Sequence, residues 1–152
     1  MPDAKPDPET ERFTRKVGEC AALKLRRTAR KVTQIFDEAL APHGLTIGQL
    51  GILAGLRRSR GVGIAALAEQ LSTDASTLSR LLKPLAANGL LTVEPDPDDR
   101  RAKLLRLTED GAVRVREAGV AWHAAQKHLR DVLGESRIAA LHYILDDSFS
   151  KL

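Results

Sequence analysis

The chain has 152 residues, which is one domain's length and enough to bury a core. With 43% hydrophobic and 29% charged residues it reads as globular rather than disordered or fibrous, and with 3% aromatics its core must be filled by Leu, Ala, Val and Ile. A net charge of +4 favours a polyanionic partner, nucleic acid before membrane surface, and the single cysteine, Cys20, excludes an internal disulfide and a multi-cysteine zinc site.

Residues 1–10 contain three prolines and almost no apolar side chains, so they read as a disordered lead-in, with the fold starting near Glu11. This start lacks the basic and apolar regions of a secretory signal, and no apolar run approaches the roughly 18 residues of a membrane span. The expectation is a cytoplasmic protein with no membrane partner. From residue 13 to 40, Phe13, Val17, Leu23, Val32, Ile35, Phe36, Ala39 and Leu40 recur at roughly helical spacing until Pro42 and Gly44 stop the pattern. One long amphipathic helix is predicted. Its polar face is basic, with Arg12, Arg15, Lys16, Lys24, Arg26, Arg27, Arg30 and Lys31 opposed in that stretch only by Glu19. A solvated face is the plainer reading of these charges, ahead of direct DNA contact.

Thr46-Ile47-Gly48-Gln49 has the form of a capping box and opens a second helix with Leu50, Leu53 and Leu56 on one face. Residues 63–85 read as helix, turn, helix. Ile64, Leu67, Ala68 and Leu71 form one apolar stripe and Leu78, Leu81, Leu82 and Leu85 another, with Ser72-Thr73-Asp74 as the turn and Asp74 as the cap of the second helix. The outward positions of that second helix, Ser76, Thr77, Ser79, Arg80 and Lys83, interleave hydroxyls with long cations, which suits the DNA major groove. Pro84 should bend this helix or loosen its last turn.

Residues 90–94 and 103–107 are strand candidates joined by Pro95-Asp96-Pro97-Asp98-Asp99-Arg100-Arg101-Ala102, a charged two-stranded hairpin. Asp98 or Asp99 could hold one Arg fork in place while the other Arg, from the pair Arg100 and Arg101, reaches a minor groove. Thr108-Glu109-Asp110-Gly111 caps a further helix that carries Val115, Ala118, Trp122, Ala125, Leu129 and Leu133, and a last helix over residues 135–149 carries Ile138, Leu141, Leu145 and Phe149. The fold class is therefore mainly α. It comprises a winged helix-turn-helix lobe at about 46–108 with a two-stranded β wing, inside a single domain at 11–152. The helices at about 11–41 and 109–150, whose apolar stripes have little else to cover, form a dimerisation region.

The order of elements resembles the multiple antibiotic resistance regulator (MarR) family over nearly all of residues 11–150. The specific part runs from Asp96-Pro97-Asp98-Asp99-Arg100-Arg101 to Leu107-Thr108-Glu109-Asp110-Gly111, which is similar to the family's wing signature; Leu67-Ala68 through Leu78-Ser79-Arg80-Leu81-Leu82 is similar to its helix-turn-helix. The resemblance implies a homodimer with intertwined first and last helices and two wings flanking two recognition helices. It also implies repression relieved by a small molecule or an oxidant. The expected function is a DNA-binding transcriptional regulator, a repressor on a palindromic operator in double-stranded DNA. A winged-helix module that binds protein instead is the competing class, but it predicts an acidic or neutral face where this one is basic.

Cys20 lies near the start of the first helix, as a reactive cysteine does in the family's hydroperoxide-sensing branch, which makes it a candidate redox sensor; a buried, inert thiol is the favoured alternative. That branch holds its thiolate with tyrosines, whereas the only tyrosine here, Tyr143, is far down the chain. His123 and His128, five residues apart, do not share a helical face, and with His142 they read as structural or solvated rather than as metal ligands. Leu50, Leu53, Val115 and Trp122 are candidates for an effector pocket, although such side chains are more often simply core. Catalytic motifs are absent, so neither an enzyme nor a cofactor is expected.

Overall fold

The computed structural model describes residues 7–99 and 101–152. In chain order the elements are α1 (Pro8–Gly18), α2 (Ala21–Leu40), a 3-10 turn (Ala41–His43), α3 (Ile47–Gly55), β1 (Val62–Gly63), α4 (Ile64–Gln70), α5 (Ala75–Ala87), β2 (Leu91–Pro95), β3 (Lys103–Leu107), α6 (Glu109–Leu133) and α7 (Glu135–Lys151). Residues up to Ile35 and residues from Phe36 onward make two compact units, described separately.

In the first unit, the single long helix expected over residues 13–40 is two helices. Gly18 is a weak helix former, the backbone N–H of Glu19 turns back to the carbonyls of Lys16 and Val17, and that of Cys20 reaches Val17 at 3.1 Å. The helical start also lies further upstream than the expected lead-in allows. Asp7 caps α1 by accepting from the Glu9 N–H at 2.8 Å and the Thr10 hydroxyl at 2.9 Å, and Pro8 sits where its missing N–H costs nothing. These bonds hold the Asp7 carboxyl below its ordinary pKa. The first six residues of the expected lead-in, and Arg100, lie outside the described residues.

The second unit is built on a leucine core, with Leu40, Leu53, Leu67, Leu78 and Leu105 fully buried. The α3 helix starts at the expected capping box: the Gln49 N–H donates to the Thr46 hydroxyl at 3.3 Å and the Thr46 N–H to the Gln49 side chain at 3.0 Å. Ile52 joins Leu50 and Leu53 in its buried face. The wing hairpin β2–β3 pairs Leu91 with Leu107 and Val93 with Leu105. A third strand, β1, adds antiparallel to the other side of β3 with Val62 opposite Leu105, so the sheet has order β1-β3-β2 rather than two strands. Two residues are too few to show an alternation in sequence. The α5 helix runs through Pro84 to Ala87, and Asn88 donates to the Pro84 carbonyl at 3.0 Å; the proline removes only the bond that would have reached Arg80.

On α6 and α7 the buried apolar residues are few, chiefly Ala118, Ala125, Leu129 and Ile138, while Tyr143 and Phe149 are each 70% exposed. Val120, Val132, Ile144 and Leu145 are exposed as well. Among the described residues no helix is long and apolar enough to cross a membrane.

Candidate nucleic-acid interface

The site begins in the turn before α5. Ser72 adopts φ 49°, in the left-handed region that side chains other than glycine enter at a cost of roughly 1–2 kcal/mol. This sharp turn leads from α4 into α5, and the carbonyl of buried Ala68 accepts from the Thr73 N–H at 2.9 Å. Ser72→Gly should relieve the strain and raise stability by up to about 1 kcal/mol in urea denaturation, net of the entropy glycine adds to the unfolded chain. No gain would mean that the Ser72 conformation is unstrained.

Asp74 organises the N-terminus of α5. Its carboxylate accepts from the Ser76 hydroxyl at 2.5 Å, the Thr77 hydroxyl at 2.7 Å and the Thr77 N–H at 2.8 Å. The Ser76 bond first, and then those from Thr77, hold its pKa far below the ordinary carboxylate range. A depressed folded-state pKa means that the stability contributed by the ionised cap is fully present at neutral pH, begins to decline below about 3.9, the unfolded value, and is lost as pH falls through the much lower folded value. The Thr77 oxygen also accepts from the Arg80 guanidinium at 3.3 Å, so a chain of bonds runs from Asp74 through Thr77 to Arg80. Of the five outward residues expected on this helix, Ser76 and Thr77 thus have their hydroxyl protons committed to Asp74. Ser79, Arg80 and Lys83 are exposed, as is Ser76, while Thr77 is half-buried.

Between α5 and the sheet lies a cleft of about 220 Å³ with an apolar floor of Leu82, Ala86 and Val93 and with Ser79, Lys83 and Lys103 around it. Lys103 is the cation that sequence reasoning missed here. Nothing in its strand pattern distinguishes it from a solvated residue; only the hairpin register, Lys103 opposite Pro95, brings it to this edge.

Among the described residues of the wing tip, the aspartates act on backbone amides. Asp99 accepts from the Arg101 N–H at 2.9 Å, Asp96 from the Asp98 N–H at 2.9 Å, and Ala102 donates to the Asp99 carbonyl at 2.9 Å. The expected clamp of Asp98 or Asp99 on a guanidinium is therefore replaced, for Arg101, by an Asx turn, in which a short carboxylate reaches the nearest amide two residues on. Arg101 is exposed. Arg100, the other expected wing contact, lies outside the described residues. Lower on the wing, Glu94 accepts from Thr92 at 3.1 Å and from the Arg106 Nε at 3.2 Å, and Arg106 Nη1 donates to the Ser59 carbonyl at 3.1 Å, tying the hairpin to the loop after α3.

The end of the wing is locked to the end of α5. Thr108 donates its N–H to the Leu90 carbonyl at 3.2 Å and its hydroxyl to the Gly89 carbonyl at 2.6 Å, while accepting from the Gly111 N–H at 2.9 Å as the cap of α6. Gly111 is buried so close to this junction that a Cβ there would stand 2.0 Å from the Leu90 carbonyl oxygen.

The sequence profile of the MarR family matches residues 45–103, a span running from before α3 into β3. Over that span the chain is similar to the MarR family. It is similar to the multiple antibiotic resistance protein MarR of Escherichia coli, at 27% identity over 117 residues, 76% of this chain and 81% of MarR. It is also similar to the transcriptional repressor NicR of Pseudomonas putida, at 33% identity over 88 residues covering 58% of this chain and 56% of NicR, little more than half of that protein. Among solved structures, the M. tuberculosis transcriptional regulator MosR in complex with DNA superposes with a TM-score of 0.73 at 29% identity, covering 87% of this chain and 97% of MosR. Of these relatives NicR is a transcriptional repressor, and MosR is a transcriptional regulator seen bound to DNA.

Of the pocket candidates, Leu50, Val115 and Trp122 line an apolar cavity of about 280 Å³ together with Ile47, Gly51, Ala54 and Gly119. Leu53 does not: it is fully buried in the core, one helical step past the cavity face. Cys20 is exposed at the break between α1 and α2, contrary to the favoured expectation of a buried thiol, and it shares that exposure with every described residue from 7 to 31. His123, His128 and His142 are exposed. The His123 ring stands edge-on to Trp122 with centroids 4.9 Å apart.

Proposed function

We infer that this chain is a DNA-binding transcriptional repressor that recognises a palindromic operator as a homodimer and is released by a small-molecule effector. The observation that carries the reading is the capped α5 helix, which presents exposed Ser79, Arg80 and Lys83 beside a wing bearing Lys103 and Arg101. Hydroxyls and long cations on a rigid helix reach base edges and phosphates in the major groove, and a basic hairpin beside it suits the adjacent backbone or minor groove. Ser76 and Thr77 contribute by orienting Asp74 and Arg80, Asp99 by shaping the wing tip; Asp98, Arg100 and Arg101 complete the proposed wing contacts. The winged lobe at about 46–108 reads DNA, and the helices at about 11–41 and 109–150 pair two copies. The exposed apolar residues of α7 support that pairing, since a lone chain would leave them in water.

The effector reading rests on the apolar cavity lined by Leu50, Val115 and Trp122. Its size and walls suit a small, mostly apolar ligand. The two recognition helices of a dimer must meet half-sites about 34 Å apart, so a ligand that favours another spacing lowers DNA affinity by its preference for that state and no more. Electrophoretic shift against an operator and a scrambled duplex, with light scattering of the free protein, tests the whole reading. The expected result is selective binding by a particle of twice the chain mass; no shift at moderate salt would favour the protein-binding alternative.

A second reading of the signal, thiol oxidation, is favoured by the exposure of Cys20. Cys20→Ser is expected to keep operator binding while losing release by peroxide if this reading holds. Release by peroxide that persists in the variant eliminates the thiol as sensor.

A further inference from the structure

The α2 helix carries a charge pattern that operator reading by α5 and the wing does not use. At about 100° per residue, Lys24, Arg26, Arg27, Arg30 and Lys31 fall within an arc of about 160°. Leu25, Ala29, Val32 and Phe36 fall together on the other side of the helix. All five cations are exposed, and among the described residues none of them forms an ion pair. No acidic residue precedes Asp37 on this helix. The later helices are built differently: Lys127 pairs with Asp131, Arg130 with Glu135 and Lys151 with Asp147.

Five cations brought onto one helix face without compensating acids repel one another, so the face is at its most stable against a polyanion. We propose that the cationic face of α2 is a second, sequence-independent DNA-backbone contact of this protein, a proposal that rests on its reading as a DNA-binding regulator. A second copy of the chain is a poor occupant, because on α7 Glu135 and Asp147 already pair within the chain and, among the described residues, Asp146 alone of the acids of that helix forms no ion pair. A membrane surface fits poorly too. The apolar side of α2 contains no exposed aromatic residue to anchor it at a bilayer interface, and its exposed large apolar residues are only Leu23 and Leu25, near its N-terminal end. From Lys24 to Lys31 the stripe runs about 10 Å along the axis, which matches about three phosphates of one strand at about 3.4 Å of axis each.

The test combines Lys24→Gln, Arg27→Gln, Arg30→Gln and Lys31→Gln, all to a good helix former, and compares salt titrations of binding to operator and to random-sequence duplex. Circular dichroism and light scattering accompany each protein. The slope of log affinity against log salt is expected to fall by about 2–3, with affinity down roughly 100-fold near 0.1 M salt and converging with the parent toward 1 M. Operator and random duplex should lose affinity equally, leaving the specificity ratio unchanged. An unchanged slope in a folded variant overturns the proposal. So does loss of the dimer, which assigns the stripe to self-association, or loss of binding to anionic phosphatidylserine vesicles at unchanged DNA slope, which assigns it to a membrane. If the parent itself binds neither duplex, it is the regulator reading that fails.

Discussion

Gly111→Ala should destabilise the chain by about 3 kcal/mol or more, the upper end of what overpacking a buried position costs. Helix propensity alone points the other way, since replacing glycine by alanine within a helix is worth about 1 kcal/mol in favour of alanine. The structure decides between the two. A Cβ at position 111 would lie 2.0 Å from the Leu90 carbonyl oxygen and 2.8 Å from Leu107 Cδ1. That carbonyl cannot retreat, because it accepts the Thr108 N–H at the junction where α5, β3 and α6 meet. Relief requires α6 to tilt away from Leu90, which breaks the Thr108 bonds to Gly89 and Leu90 together. Gly119→Ala on the same helix is the control. Nothing lies within 4 Å of its added Cβ, so the propensity gain should appear there undiminished. Urea denaturation of the two variants should therefore move the midpoint in opposite directions, and a shift in the same direction would show that the junction has slack.

This junction explains why the Leu107-Thr108-Glu109-Asp110-Gly111 motif was legible in sequence while its reason was not. Thr108 announces a helix cap by residue type alone, but the need for glycine three residues later comes from the carbonyl of Leu90, 21 positions upstream, and no local pattern carries that information. The same division runs through the site. Capping of α3 by Thr46 and Gln49, and of α5 by Asp74, could be read because both partners sit within three residues. The apolar stripes of α4 and α5 could be read because helical period is local. The break at Glu19 and Cys20 leaves only a faint mark in the sequence: the next large apolar residue after Val17 is Leu23, six residues on and out of phase with a continuous helix, while Ala21 keeps the phase. Lys103 beside Lys83, the Arg106–Glu94 pair and the β1 strand depend on sheet register and tertiary placement. Leu53 was assigned to a pocket because it shares a face with Leu50, yet a helix face has width, and Leu53 falls on the part turned toward the core.

Arg80→Ala should weaken operator binding by about 1–3 kcal/mol, up to roughly 100-fold, and relax preference at one base pair while leaving random-sequence binding nearly intact. The geometry argues for a base contact over a phosphate contact. The Thr77 oxygen, itself fixed by its donation to Asp74, accepts from Arg80 Nη2, so the guanidinium is oriented before DNA arrives. An oriented planar fork loses less entropy on making two parallel bonds than a free side chain does, and two parallel acceptors are what guanine offers in the major groove. Arg101→Ala separates the two kinds of contact. Its side chain stands on an exposed hairpin tip with only the backbone fixed by Asp99, so its loss should weaken all duplexes evenly and reduce the salt slope by about 1. Thr77→Val provides the remaining arm, since it keeps the shape of the side chain, removes the acceptor that orients Arg80, and should cost part of the Arg80 effect with no further loss in the double variant Thr77→Val, Arg80→Ala. If Arg80→Ala instead lowers operator and random binding equally, the residue neutralises phosphate and sequence readout must come from Ser79 and its neighbours on α5.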